Sequence, residues 1–169
     1  MFVEASELDP EETYQLLVGS VVPRPIAWIT SGRPPKPLNL APFSAFTWVS
    51  QHPAMLGFTA NRRSDGLKDT VRNIEEDGQF VVNIADDSLL DELHASSAFL
   101  DAHVSEAEAL GLPGAPSTMI DVPRLARAPI SMECVHERTV EFSPTGGQFV
   151  VGGSSPGTST TPSCGTDES

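Results

Sequence analysis

Chemistry-bearing residues gather in three places along the chain. The first is Asn39-Leu40-Ala41-Pro42-Phe43-Ser44, which closes a proline-dense stretch. Proline fixes φ and removes a backbone donor, so Pro34, Pro35, Pro37 and Pro42 fit a stiff connection and not the inside of a helix or a central strand. Held in one shape, with Phe43 offering an apolar face and Ser44 a hydroxyl, such a stretch suits a planar ligand lying against backbone groups. The same residues also describe a long proline-rich hairpin connection with no ligand, and the residues alone put that plainer reading slightly ahead. The second place is Arg62-Arg63 followed by Lys68-Asp69-Thr70. A phosphate needs cations and donors, and a helix N-terminus adds oriented N–H groups. Lys68 and Thr70 fall at such a terminus and Arg62 in the turn before it, with Asp69 placed to cap the helix or orient Lys68. A basic turn ahead of a helix is more often a solvated face. The third is Arg24 between two prolines, where a planar guanidinium either clamps a ring edge or phosphate or serves an interface ion pair.

Other chemistry finds no support. His52, His94, His103 and His136 form no i, i+4 pair on a helix, and neither Cys134 nor Cys164 belongs to a CxxC. P-loop and GxGxxG patterns are missing from the sequence. A redox reaction here would belong to a cofactor that the protein positions, so no catalytic residue is assigned.

The elements that must position these residues read as follows. Asp9-Pro10-Glu11-Glu12 starts a short helix through Leu17, with Gly19 ending it. Strands are expected at 26–30, 45–49 and 54–60, the last with Gly57 marking a bulge or a close backbone approach. Lys68 to Asp77 has helical spacing, with Leu67, Val71 and Ile74 facing a core, and Asp77-Gly78 stops it. Gln79 to Ala85 is the clearest strand. Short helical pieces follow around Leu89 to Leu93 and Val104 to Leu110, then an irregular segment from Leu112 to Arg127. Pro129 to Phe142 alternates apolar and polar residues as a half-exposed strand does, and a further strand begins at Gln148. Short strands interrupted by helices, without a βαβ rhythm, predict a mainly β barrel with peripheral helices.

A length of 169 residues gives one domain with a real core. The formal charge of −13 argues against nucleic acid or an anionic membrane as partner. Nothing in the N-terminal residues reads as a signal peptide and no run reaches membrane-span length, so a cytoplasmic protein is expected.

The segments GSVVPRPIAWITS and NLAPFSAFTWVS, followed by LKDTVRNIEEDGQFVVNI, VSEAEALGLPGAPS and APISMEC, resemble the flavin reductase-like family. The resemblance runs in order from Tyr14 to Val151. It implies a split β-barrel of the FMN-binding type. It also implies that Asn39, Ala41, Pro42, Phe43 and Ser44 lie along the flavin ring, and that Lys68, Asp69 and Thr70 attend the FMN phosphate. The activity implied is electron transfer from NADH or NADPH through FMN to free flavin, an acceptor protein or a small molecule. The rival reading is a split barrel that carries FMN without catalysis, or that has lost flavin and only associates. Members of the family are usually homodimers, so a dimer is expected.

The resemblance stops after Gly152. Residues 153–169 (GSSPGTSTTPSCGTDES) have the composition of a disordered segment, yet begin in mid-strand. The expectation is a domain over 1–152, incomplete at its C-terminal end, with a tail that is a frameshifted ending. Serine read as TCN becomes NTC after one lost nucleotide is restored, which always encodes an apolar residue.

Overall fold

Tryptophan, isoleucine and small hydroxylated residues make Ala27–Ser31 (β1) a strand that is buried along its whole length. It is buried because it is covered on both faces. Ala27 and Ile29 face one core cluster with Val71, Ile74 and Phe80, whereas Trp28 faces a second with Leu40, Leu89 and Leu112. In this computed structural model, which describes residues 2–63, 66–98, 100–101, 103–142 and 146–153, the remaining elements are arranged around that strand. Of the tail expected to be irregular, residues 154–169 lie outside the described residues, while Gly153 itself ends a strand.

The chain continues from β1 into Asn39–Phe43 (β2), Phe46–Gln51 (β3) and Ala54–Asn61 (β4), then a helix at Asp69–Asp77 (α2) and a strand at Gln79–Ile84 (β5). An earlier helix, Pro10–Ser20 (α1), precedes β1. Two short helices, Leu90–Ala95 (α3) and Glu106–Ala109 (α4), lead to a two-residue ladder of Gly114–Ala115 (β6) with Arg124–Leu125 (β7). Ile130–Glu141 (β8) and Gly147–Gly153 (β9) complete the described chain.

Seven strands form one antiparallel sheet in the order β2-β1-β5-β8-β9-β4-β3. In a flat sheet the five steps from β2 to β4 would separate them by roughly 24 Å, at about 4.8 Å per step. Instead the Phe43 and Phe58 ring centroids are 4.6 Å apart and Thr59 donates its N–H to the Ala45 carbonyl at 2.8 Å. The sheet is therefore rolled into a barrel, and the two-residue step from β2 to β3 joins its two edges. The bend is visible in β8, which pairs β5 through residues 130–135 and β9 through residues 135–141, with a register shift between His136 and Arg138. Gly152 permits the crossing: a Cβ there would sit 2.4 Å from the Phe80 ring and 3.0 Å from the Val135 carbonyl oxygen.

The expected elements are present with small shifts. α1 runs on to Ser20, past the glycine expected to stop it, and begins with a reciprocal capping box between Asp9 and Glu12. The proline-rich connection ends earlier than expected, because Asn39–Phe43 is a strand. It is the sheet's edge, where Pro42 removes no ladder hydrogen bond that a neighbour needs. The close approach expected at Gly57 is that of the Phe149 ring, 2.4 Å from where a Cβ would stand, while the bulge falls at Trp48/Ser50 instead. The segment expected to be irregular contains the β6–β7 ladder. α2 ends as its sequence implies, on Gly78 at φ +69°, whose N–H returns to the Ile74 carbonyl.

Candidate functional site

The edge strand β2 and the head of α2 meet, and most of the residues singled out in the sequence lie at that junction. Thr70, in the first turn of α2 and fully buried, donates its hydroxyl to Asn39 Oδ1 at 2.8 Å. The Lys68 ammonium stands 5.1 Å from the Phe43 ring centroid, within cation–π range. Phe43 itself is buried against Phe58, while Ala41 and Pro42 are half-buried and Ser44 is exposed. As an edge strand, β2 also keeps one row of backbone groups turned away from β1.

Local charge gives the head of α2 its character. No side chain caps this helix, unlike α1. The Val71 N–H is taken by the Lys68 carbonyl at 3.0 Å, which leaves the Asp69 and Thr70 N–H groups of the first turn to look to an outside acceptor. Lys68 is half-buried, and among the described residues no carboxylate pairs with it. Burial, followed by the neighbouring Arg63 guanidinium, holds its pKa below the usual 10.5. Asp69 does not offset it: its carboxylate is taken by Arg63 at 3.3 Å and by Arg72. Arg62 pairs through Nη2 with Glu141 on β8 at 2.6 Å, and its buried Nε has no hydrogen-bond partner among the described residues. A buried donor without an acceptor is costly. Among the described residues, Lys68 thus stands without a carboxylate at an uncapped helix terminus, a combination able to receive an anion, while the Arg62 guanidinium is engaged by Glu141.

Arg24 occupies a different position. Its Nη1 donates to the Val18 carbonyl at 2.6 Å and to the Val21 carbonyl, and its Nε lies 3.4 Å from Ser44 Oγ. It thus fastens the end of α1 to the corner between β2 and β3, with its charge at the helix's negative end. The structure joins Arg24 with Ser44, Asn39 with Thr70, and Phe43 with Lys68, and it gives Asp69 to Arg63 and Arg72.

Two features escaped the sequence reading. Glu106 of α4, buried, accepts from Asn39 Nδ2 and from the Leu40 N–H. Nothing in its acidic surroundings separates it from the exposed Glu108. The other is a groove of about 720 Å³ between the Pro34–Leu38 loop and the segment after α4. None of the residues singled out for binding lines it. Its one lysine, Lys36, is already neutralised by Glu76 and Asp77 at 2.8 Å each, so the charge chemistry lies at α2 and not in the groove.

Among the described residues no group of acidic, histidine or cysteine side chains could hold a metal, and no helix is long and apolar enough to cross a membrane.

Residues 18–152 match the family model described as the flavin reductase like domain. A protein of Halalkalibacterium halodurans, itself uncharacterized, is 36% identical over 157 residues, covering 90% of this chain and 75% of its own. Among solved structures, the 2-nitrobenzoate 2-nitroreductase of Pseudomonas fluorescens matches with a TM-score of 0.81 at 37% identity, over 90% of this chain and 73% of that one. Nitrilotriacetate monooxygenase component B from Bacillus cereus matches with a TM-score of 0.85 at 34% identity, over 90% of this chain and 78% of that one.

Proposed function

Because the chain belongs to the flavin reductase-like family, we propose that it binds FMN and acts as an NAD(P)H-dependent oxidoreductase that reduces a flavin or another small acceptor. The observation that carries this reading is Lys68, without a carboxylate among the described residues, at the uncapped head of α2 and next to an edge strand with an aromatic face. FMN supplies both halves of that match, a phosphate dianion and a flat ring with a polar edge. When bound, the flavin would supply the redox chemistry by taking electrons from a reduced nicotinamide and passing them on.

The chain's own residues bind and orient. Lys68, Arg62 and the Asp69 and Thr70 N–H groups of α2 neutralise and hold the phosphate, with the Thr70 hydroxyl beside them. Asp69 keeps Arg63 and Arg72 in place around that charge. Asn39, Ala41, Pro42 and Phe43 present the edge of β2 to the ring, and Ser44 adds a hydroxyl held near Arg24. Exposed apolar side chains on α1 and β3, among them Leu17 and Trp48, fit the surface of a homodimer. The reading carries with it a cytoplasmic site of action, where reduced nicotinamides are supplied.

The test is a titration of the purified chain with FMN, followed by NADH or NADPH oxidation with free flavin or a nitroarene as acceptor. The nitroarene is included because one similar protein is a nitroreductase. Saturable FMN uptake with nicotinamide oxidation supports the proposal. Uptake without oxidation leaves an FMN carrier, and no uptake removes the cofactor.

A further inference from the structure

We propose that Glu106 is a positioning residue for the FMN phosphate, acting through Asn39 and Thr70; the role rests on the FMN reading above. Glu106 is 9% exposed and faces no lysine, arginine or histidine among the described residues within ion-pair distance. A buried carboxylate without a cation is expensive, so its hydrogen bonds must justify the burial. Its Oε2 accepts from the Leu40 N–H at 3.0 Å and from Asn39 Nδ2 at 3.1 Å, and its Oε1 from the same Nδ2 at 3.2 Å. α4 is held against the start of β2 as well, since Ser105 Oγ donates to the Leu38 carbonyl at 2.7 Å.

The carboxylate decides which way the Asn39 amide points. On the far side of that amide, Oδ1 accepts from Thr70 Oγ1 at 2.8 Å and from Ser31 Oγ at 3.0 Å. Hydroxyls both donate and accept, so Ser31 and Thr70 tolerate either orientation of the amide. An ionised carboxylate only accepts, so Nδ2 must face Glu106 and Oδ1 must face Thr70. The relay runs Glu106, Asn39, Thr70. It pins the first turn of α2 to β2, and hence the phosphate-binding end of the site to its ring-binding edge.

The test compares dissociation constants for FMN and for riboflavin, which lacks the phosphate, together with thermal unfolding of each ligand-free variant. Breaking the relay with Glu106→Ala should lower the preference for FMN over riboflavin by about tenfold, the scale of one lost hydrogen-bonded link. Glu106→Gln should keep that preference within about threefold of wild type. Its carbonyl still accepts from Leu40, its amide donates to a turned-over Asn39, and Thr70 stays connected. Should Glu106→Ala fail to fold, Glu106→Asp, one methylene short of the relay, must show the loss in the same direction. A folded Glu106→Ala or Glu106→Asp that melts lower but keeps the wild-type preference overturns the role, leaving only a structural one. Loss in Glu106→Gln equal to that in Glu106→Ala also overturns it, since charge and not the relay would then be responsible. A wild-type chain that binds FMN and riboflavin equally removes the phosphate site itself, and the role with it.

Discussion

Lys68→Met separates the two things that a half-buried lysine can do. Methionine keeps an unbranched apolar stem over the Phe43 ring and removes the charge, so packing changes little. In the folded chain without ligand, burial and Arg63 already disfavour the ammonium. Removing it should therefore raise the melting temperature of the ligand-free protein. The pH dependence has the matching sign. The folded chain releases the Lys68 proton below the usual 10.5 of the unfolded chain, so between those values the unfolded state holds more protons and stability rises with pH. The variant loses that rise. Ligand binding moves the other way, because a phosphate is the charge that repays the buried ammonium. Loss of one charge-assisted contact costs about 1.5–3 kcal/mol, or roughly 10- to 150-fold in the FMN dissociation constant. Riboflavin affinity should hold. Wild-type affinity for FMN should also weaken as pH rises through the lowered Lys68 pKa, a dependence the variant lacks. Flavin fluorescence titrations at fixed ionic strength read all of this, and salt must be held constant because the contact is electrostatic. Unchanged FMN affinity in Lys68→Met, or equal losses for FMN and riboflavin, would refute the assignment of the phosphate to α2.

Three further outcomes follow from the packing. Asn83, fully buried, donates to the Trp28 carbonyl and Thr30 Oγ1 and accepts from the Leu125 N–H and Ser131 Oγ, tying β1, β5, β7 and β8 together. Asn83→Ala should cost at least about 2 kcal/mol in urea unfolding, since it orphans several buried groups at once. Asp77, whose side chain is 6% exposed, accepts from the Arg33 N–H at 2.9 Å and from Lys36 Nζ at 2.8 Å. Although burial pushes its carboxyl up, these bonds hold its pKa below 3.8, so its contribution is present above that value and is lost as pH falls through the folded pKa. Asp77→Asn should flatten that acid limb of the stability curve. Gly152→Ala should destabilise by about 1–3 kcal/mol in the same urea assay, because the new methyl group meets the buried Phe80 ring and the backbone of β8.

How far the sequence reaches depends on whether a feature is local. The strands at 27–31, 79–84 and 130–141 are legible because their apolar runs or alternation and their bounding turn residues lie within a few positions of each other. β2 is not, since Pro42 argues against a strand unless the strand is known to be an edge, and edges are a property of the whole sheet. Closure of the barrel is equally hidden. It depends on Phe43 meeting Phe58 and on one strand, β8, serving two neighbours. The same distinction divides the site. The types of Lys68, Thr70, Phe43 and Asn39 are compatible with a ring and an anion, but by themselves they describe a proline-rich connection and a solvated basic turn as well, and only the family resemblance favours the ligand. That Asn39 and Thr70 bond to each other is a fact of tertiary structure. Glu106 lies 67 residues from its Asn39 partner, inside an acidic segment where charge normally means solvent. It matters because the fold takes that one carboxylate out of water and leaves Asn39 as the group it must satisfy. A residue that acts by restricting its neighbour's orientation has no signature of its own type, and only the hydrogen-bond partners reveal it.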